Sequence, residues 1–306
     1  MAEPPSVVPV ATAPPSQRRS WPAAIRLLRP HHWVKNLLVL AAPGAAGVLD
    51  ERDAIVAVIG AFVALGLVAS GTYAINDAFD ADADRLHPTK RHRPVASRAI
   101  SVRQAMVIGA TLIAAGIGLA AIITWQLGVV VVTYALVTTS YSLVLKRYAY
   151  VDIATVAAGF VLRAVAGAAA VEVHVSGWFL IVALFGSTLM VAGKRLGELS
   201  LIDAEGHRLV LARYSPSFLG LVQRGAAAGA IASYTMFALD RARDAGLDVP
   251  WFELTVLPFV FGVLWYLRRL DRDGGGDPTD LVLRDPVLLA LGLAWAAMFG
   301  AGVYAG

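Results

Sequence analysis

The chain has 306 residues, 58% of them apolar and 16% charged, where soluble domains carry roughly 25% charge. With a mean hydropathy of +0.65, disorder is excluded outside the ends and the bilayer is the solvent to assume. A net charge of +4 makes no case for nucleic acid as a partner, and the lack of Cys rules out disulfides, thiolate-bound metals and Cys nucleophiles.

Residues 1–28 read as a Pro-rich disordered N-terminal tail. Arg18 and Arg19 follow its apolar stretch, the reverse of the order in a secretory signal. Residues 29–306 read as one transmembrane catalytic domain. Apolar runs recur near 34–49, 53–75, 103–124, 127–145, 152–171, 177–193, 217–238, 250–267 and 286–304. Each is close to the roughly 20 residues that cross a bilayer as a helix. They predict an all-α, polytopic membrane protein of about nine transmembrane helices; barrel strands, about 10 residues long with alternating polarity, do not fit. The first run is short and contains Pro43, Gly44 and Gly47, so a tilted or broken helix is expected there. Trp33, Trp125, Trp178 and Trp251 fall at run ends, as an interfacial aromatic belt requires.

Placing the N-terminus inside puts 21 of the 26 Lys and Arg residues on the inner side, leaving Arg52, Arg241 and Arg243 outside and Arg163 and Arg224 within runs. Basic residues stay cytoplasmic, so the N-terminus and the chemistry are expected on the cytoplasmic face of the plasma membrane.

Charge is densest from Gly71 to Arg98, GTYAINDAFDADADRLHPTKRHRPVASR. At helical spacing Asp77, Asp80 and Asp84 share one face and Asp82 points roughly the other way. Three carboxylates at a membrane edge repel one another, so a cation belongs among them. Hard oxygen ligands favour magnesium, held jointly with substrate phosphates; a solvated acidic helix end is the alternative. Arg85, His87, Lys90, Arg91, His92 and Arg93 follow closely. Carboxylates for a cation beside cations for phosphate oxygens suit a metal-bound polyphosphate.

Lys35-Asn36, Lys146-Arg147 and Lys194-Arg195 fall on the same side, where each also fits an ordinary positive-inside anchor. Arg163, in the middle of the fifth run, needs a polar cavity or a buried partner. Arg224, about one turn inside the seventh, can snorkel. No P-loop, nucleophile elbow or H-E-x-x-H pair competes.

The string NDAFDADADR (76–85) resembles the first aspartate motif, N-D-x-x-D-x-x-x-D, of the UbiA superfamily of intramembrane prenyltransferases. That resemblance covers residues 30–306 and implies helices around a central cavity open to the cytosolic side, with magnesium held by aspartates and binding a substrate diphosphate. Members with aromatic acceptors carry a second Asp-rich motif after the sixth helix. Here the chain reads GKRLGELSLID, with Lys194 and Arg195 in place of aspartates and Glu198 and Asp203 as the remaining carboxylates.

This departure resembles the decaprenyl-phosphate phosphoribosyltransferase branch. The likeness rests on RPHHWVKNLLVLAAP (29–43), DRLHPTKRHRPVAS (84–97), YSLVLKRYAYVDIATVAAGFVLRAVAGA (141–168), GKRLGEL (193–199) and DPTDLVLRDPVLL (277–289). It implies 5-phosphoribosyl 1-diphosphate as donor, decaprenyl phosphate or another polyprenyl phosphate as acceptor, and membrane lipid as surroundings, with oligomeric state left open. Carried onto this chain, the resemblance implies Asp77, Asp80, Asp84 and Lys194 as catalytic groups, and Asn76, Asp77, Asp80 and Asp84 as holders of Mg2+. Substrate contacts are implied for Lys35, Asn36, Arg85, Lys90, Arg93, Tyr141, Lys146, Arg163, Lys194, Arg195 and Glu198; as a charge within a membrane run, Arg163 is expected to balance the acceptor's phosphate at the cavity wall. A prenyltransferase joining a polyprenyl diphosphate to a small or aromatic acceptor, and a transporter, are the rival readings.

Overall fold

A computed structural model describes residues 21–205, 214–273 and 278–304. Residues 1–20 of the predicted tail lie outside them. The described residues contain helices and no strand, as expected where lipid offers the backbone no hydrogen-bond partner. In chain order the helices are α1 (Ala23–Leu28), a 3-10 stretch (Pro30–Leu40), α2 (Ala41–Ala46), α3 (Arg52–Phe79), α4 (Ala81–Leu86), a 3-10 turn (Lys90–His92) and α5 (Val102–Ile123). There follow α6 (Trp125–Leu143), a 3-10 turn (Leu145–Arg147), α7 (Val151–Ala170), α8 (Gly177–Glu205), α9 (Pro216–Ala245), α10 (Trp251–Leu254), α11 (Val256–Asp273), α12 (Pro278–Arg284) and α13 (Pro286–Tyr304).

Among the described residues, seven segments are long and apolar enough to cross a membrane: Arg52–Phe79, Val102–Ile123, Trp125–Leu143, Val151–Ala170, Gly177–Leu199, Trp251–Arg272 and Pro286–Tyr304. The protein is thus a multi-pass membrane protein, and two of the nine runs read from sequence differ from the rest. The 217–238 run lies in α9, which is 30 residues long but diluted by Gln223, Arg224, Asp240 and Arg241. The first run is a 3-10 helix that passes into the short α2 and stops at Gly47, whose φ of 77° is the left-handed turn glycine permits.

Close helix contacts are made through small residues. A Cβ on Gly71 of α3 would lie 2.6 Å from the Gly109 carbonyl oxygen of α5, so these two helices touch backbone to backbone. At Gly167 of α7 the Val39 carbonyl oxygen comes so near that a Cβ would sit 1.9 Å from it. This contact pins the 3-10 stretch along α7. Ser101 caps α5 in a reciprocal box with Gln104, which fixes where the chain re-enters the bundle.

Two sequence expectations change here. Residues 23–28, assigned to the tail, form α1, because Leu27 is fully buried against Ala74, Ala78, Ala81, Val95, Ile100 and Ala105. Trp33 packs inward over Gly66 and its Nε1 donates to Ser70 Oγ at 3.0 Å, so it is a packing residue and not part of an interfacial belt.

Candidate active site

The aspartate string straddles a helix break. α3 ends at Phe79 and α4 begins at Ala81, but Asp80 N–H still donates to Asn76 O (2.9 Å) and Asp84 N–H to Asp80 O (2.8 Å). Helical phase therefore carries across the break, and the shared face expected from spacing is present. Asp77 and Asp84 are buried and accept from one guanidinium, Arg93 Nη1, at 3.3 and 2.7 Å. Asp82 is 95% exposed and pairs with Arg85 on the outside. Arg85, expected at the substrate, is drawn away from the Asp77–Asp84 face by that pair and by a bond from its Nε to Ala96 O.

Lys146, from the turn after α6, reaches Asp80 at 2.8 Å and Asn76 Oδ1 at 3.2 Å. Three separate segments thus meet at one carboxylate face: α3–α4, the Arg93 loop and the Lys146 turn. A fourth segment joins them. Arg29, at φ 49° between α1 and the 3-10 stretch, donates Nη2 to Asp77 at 2.7 Å and lies over the Tyr73 ring at 5.0 Å. A single Arg before an apolar run gives no signal of such a role.

His32 marks where further basic groups gather. Burial first, and then the charges of Lys35, His31, Arg29 and Lys194, hold its imidazole down to about 4. Lys35 and Lys194, remote in sequence, are therefore both near enough for their charges to act on this ring. Lys90 sits in the 3-10 turn leading to Arg93.

Tyr141, Arg195 and Glu198 do come together, but around a residue that carries no signal in the sequence. Asp152, at the start of α7, is buried and accepts from Arg195 Nε (2.6 Å) and Nη2 (2.8 Å), Tyr141 Oη (2.7 Å) and Tyr214 Oη (3.2 Å). Arg195 Nη1 also donates to Glu198 at 2.6 Å. The network ties the end of α6, the start of α7, the end of α8 and the entry to α9. Burial, reinforced by the Asp152 charge, pushes the Tyr214 phenol up to about 12, so it stays protonated and donates. Arg195, expected to contact phosphates, has its guanidinium turned onto two carboxylates of the protein. The side chain of Asp203 lies outside the described residues.

Arg163 occupies a third place. It is buried about 18 Å along α7 and donates to Asn36 Oδ1 (3.0 Å), Gly159 O (2.8 Å) and Tyr134 Oη (2.6 Å). Toward the opposite end of the bundle lies an apolar cavity of about 470 Å³, lined by residues that include Leu38, Leu40, Ala164, Ala183, Phe237 and Trp295.

The residues present suit a divalent cation. Asp77 Oδ2 is buried without a hydrogen-bond partner, and Asp80 and Asp84 offer further hard oxygens from the same face. No cage of three carboxylate or imidazole groups is preformed among the described residues. Arg29, Arg93 and Lys146 hold the carboxylates instead.

Residues 36–284 match the model of the UbiA prenyltransferase family. The chain belongs to the UbiA prenyltransferase family. A relative in Mycolicibacterium smegmatis, named decaprenyl-phosphate phosphoribosyltransferase, is 40% identical over 292 residues, covering 92% of this chain and 92% of its own. One of the same name in Mycobacterium tuberculosis H37Rv is 38% identical over 302 residues, 96% of this chain and 98% of that one. Among solved structures, a UbiA homologue from Archaeoglobus fulgidus bound to DMAPP and Mg2+ superposes with a TM-score of 0.70 at 20% identity, covering 92% of this chain and 98% of that one. The all-helical UbiA fold expected from the sequence is therefore present. In this member of the family, the α8 segment Gly193–Leu199 puts a guanidinium between two carboxylates.

Proposed function

We propose that the chain transfers 5-phosphoribose from 5-phosphoribosyl 1-diphosphate to a polyprenyl phosphate, decaprenyl phosphate by likeness to its relatives, and releases pyrophosphate. The product would serve as a precursor of cell-wall arabinan. The observation that carries this reading is the pairing of one aspartate face with Arg29, Arg93 and Lys146, in a chain about 40% identical to named phosphoribosyltransferases over nine-tenths of its length. The guanidinium of Arg195 between Asp152 and Glu198 disfavours a second metal-binding carboxylate pair, and with it a prenyl diphosphate donor.

Asn76, Asp77, Asp80 and Asp84 would hold Mg2+, which neutralises charge on the diphosphate. With the donor bound, Arg29, Arg93 and Lys146 exchange aspartate oxygens for phosphate oxygens, which keeps each cation paired throughout. An oxygen of the lipid phosphate attacks ribose C1, the C1–O bond to the diphosphate breaks, and its electron pair leaves with pyrophosphate. The attacking phosphate is already ionised near neutral pH, so no enzyme base is needed. The chain's contribution is in-line positioning and stabilisation of the departing charge. The excess of basic residues at the aspartate end supports a cytoplasmic site in the plasma membrane.

Purified protein given magnesium, labelled 5-phosphoribosyl 1-diphosphate and decaprenyl phosphate should place label in the lipid phase, and Asp77→Asn should lose it. Product from a prenyl diphosphate and an aromatic acid, with no labelled phosphoribosyl lipid, would overturn the donor assignment.

A further inference from the structure

Among the described residues, Arg163 is a buried cation without a counter-ion. Its three hydrogen-bond partners, the Asn36 amide oxygen, the Gly159 carbonyl and the Tyr134 hydroxyl, are all neutral, as are the Tyr134 and Phe160 rings it lies over, and no carboxylate among the described residues pairs with it. A cation at membrane depth is costly, and backbone carbonyls or an anion are what offset the cost; here a carbonyl is present and an anion is not. Three of the five guanidinium N–H groups are used, leaving two. Beside them, Asn36 is 1% exposed and its Nδ2 has no acceptor among the described residues. Arg163 fixes the amide the other way up, by donating to Oδ1, so the orphan donor is held in place by the same guanidinium that lacks an anion.

Near neighbours of both residues in the chain line the apolar cavity. Ala164 follows Arg163 on α7, Leu38 and Leu40 follow Asn36 on the 3-10 stretch, and all three line it. Its far wall carries the stacked rings of Trp295 and Phe299. A polar node that lacks an anion, next in the chain to residues that line an apolar space, matches a phosphate monoester on a long hydrocarbon chain. The node is also separate from the aspartate face, whose cations already have carboxylate partners.

We infer that Arg163 and Asn36 form the acceptor's phosphate subsite, with the first isoprenoid units in the cavity lined by Leu38, Ala164 and Ala183. The inference rests on the proposed transfer to a lipid phosphate and adds where and by which atoms the lipid is held. Asn36 is a binding residue through Nδ2; Tyr134 is a positioning residue that acts through Arg163.

Binding of farnesyl phosphate to the full-length protein in detergent, measured with EDTA and without donor, tests this directly. The wild type binds without metal, whereas farnesol, lacking the anion, binds at least tenfold more weakly. Asn36→Leu, close in volume but without the amide, weakens farnesyl phosphate about tenfold or more, and so does Ala183→Trp, which fills the cavity without touching the amide. Neither changes the affinity for magnesium pyrophosphate. Loss of ribose 5-phosphate binding in Asn36→Leu, with farnesyl phosphate unaffected, would assign the node to the donor and overturn the inference. Farnesyl phosphate binding that requires magnesium and Asp77 would overturn it too. If lipid phosphate binds as stated but no phosphoribosyl lipid forms, the proposed reaction fails and the subsite stands. If the reaction proceeds with an unchanged lipid KM in both variants, the reverse holds.

Discussion

Replacing Arg195 by Gln separates a structural guanidinium from a phosphate ligand. Asp152 would lose two charge-assisted bonds, at 2.6 and 2.8 Å, and Glu198 one at 2.6 Å, leaving Asp152 buried with only the hydroxyls of Tyr141 and Tyr214. Breaking a buried pair from one side costs about 3 to 5 kcal/mol, since the remaining charge is stranded. Bonds kept by the two tyrosines place this case near the lower figure, about 3 kcal/mol. Removing the stranded charge as well, in Asp152→Asn with Arg195→Gln, should recover part of the loss. Thermal unfolding of the purified protein in detergent reads both effects, and the donor KM of the folded fraction supplies the contrast. An Arg195→Gln protein as stable as wild type, with a raised donor KM, would refute the structural assignment and restore Arg195 to the phosphate.

Arg29→Gln removes a cation that competes with metal for Asp77, so magnesium affinity should rise several-fold while the donor KM rises about tenfold; titration calorimetry and steady-state kinetics report each. His32 is held near 4 in the folded protein against 6.5 ordinarily, so the unfolded chain binds the extra proton between those values. Stability therefore falls as pH drops from about 6.5 to about 4, and His32→Gln should flatten that part of a melting-temperature profile. Gly167→Ala would place a Cβ 1.9 Å from the Val39 carbonyl oxygen, and the forced displacement should cost at least about 2 kcal/mol in thermal stability, read in detergent.

The features legible in the sequence were those set by local periodicity. Apolar run length gave the membrane helices, and the offsets of Asp77, Asp80 and Asp84 gave a shared face that persists across the break at Asp80. Arg93 and Lys146 were legible as basic residues on the correct side, and both reach that face. Long-range pairing decided the rest. Nothing near Arg29 shows that it returns 48 positions later to Asp77. Asp152 opens an apolar helix and reads as an ordinary N-terminal carboxylate, until the fold brings Arg195 and Tyr214 onto it. Arg85 and Arg93, eight residues apart in one basic loop, are indistinguishable by composition; burial of Asp77 and Asp84, and exposure of Asp82, divide them.

The 3-10 stretch Pro30–Leu40 is commensurate with the helix it lies against. Three residues of 3-10 helix advance about 6 Å, as do four of α-helix, so Asn36 meets Arg163 in step with Val39 meeting Gly167. Had these eleven residues coiled as α-helix, they would be about 5 Å shorter and only one of the two meetings could occur. Adding or deleting one residue between Arg29 and Asn36 would rotate the amide by about 120° and break the step between them. This segment should therefore tolerate changes of side chain far better than changes of length.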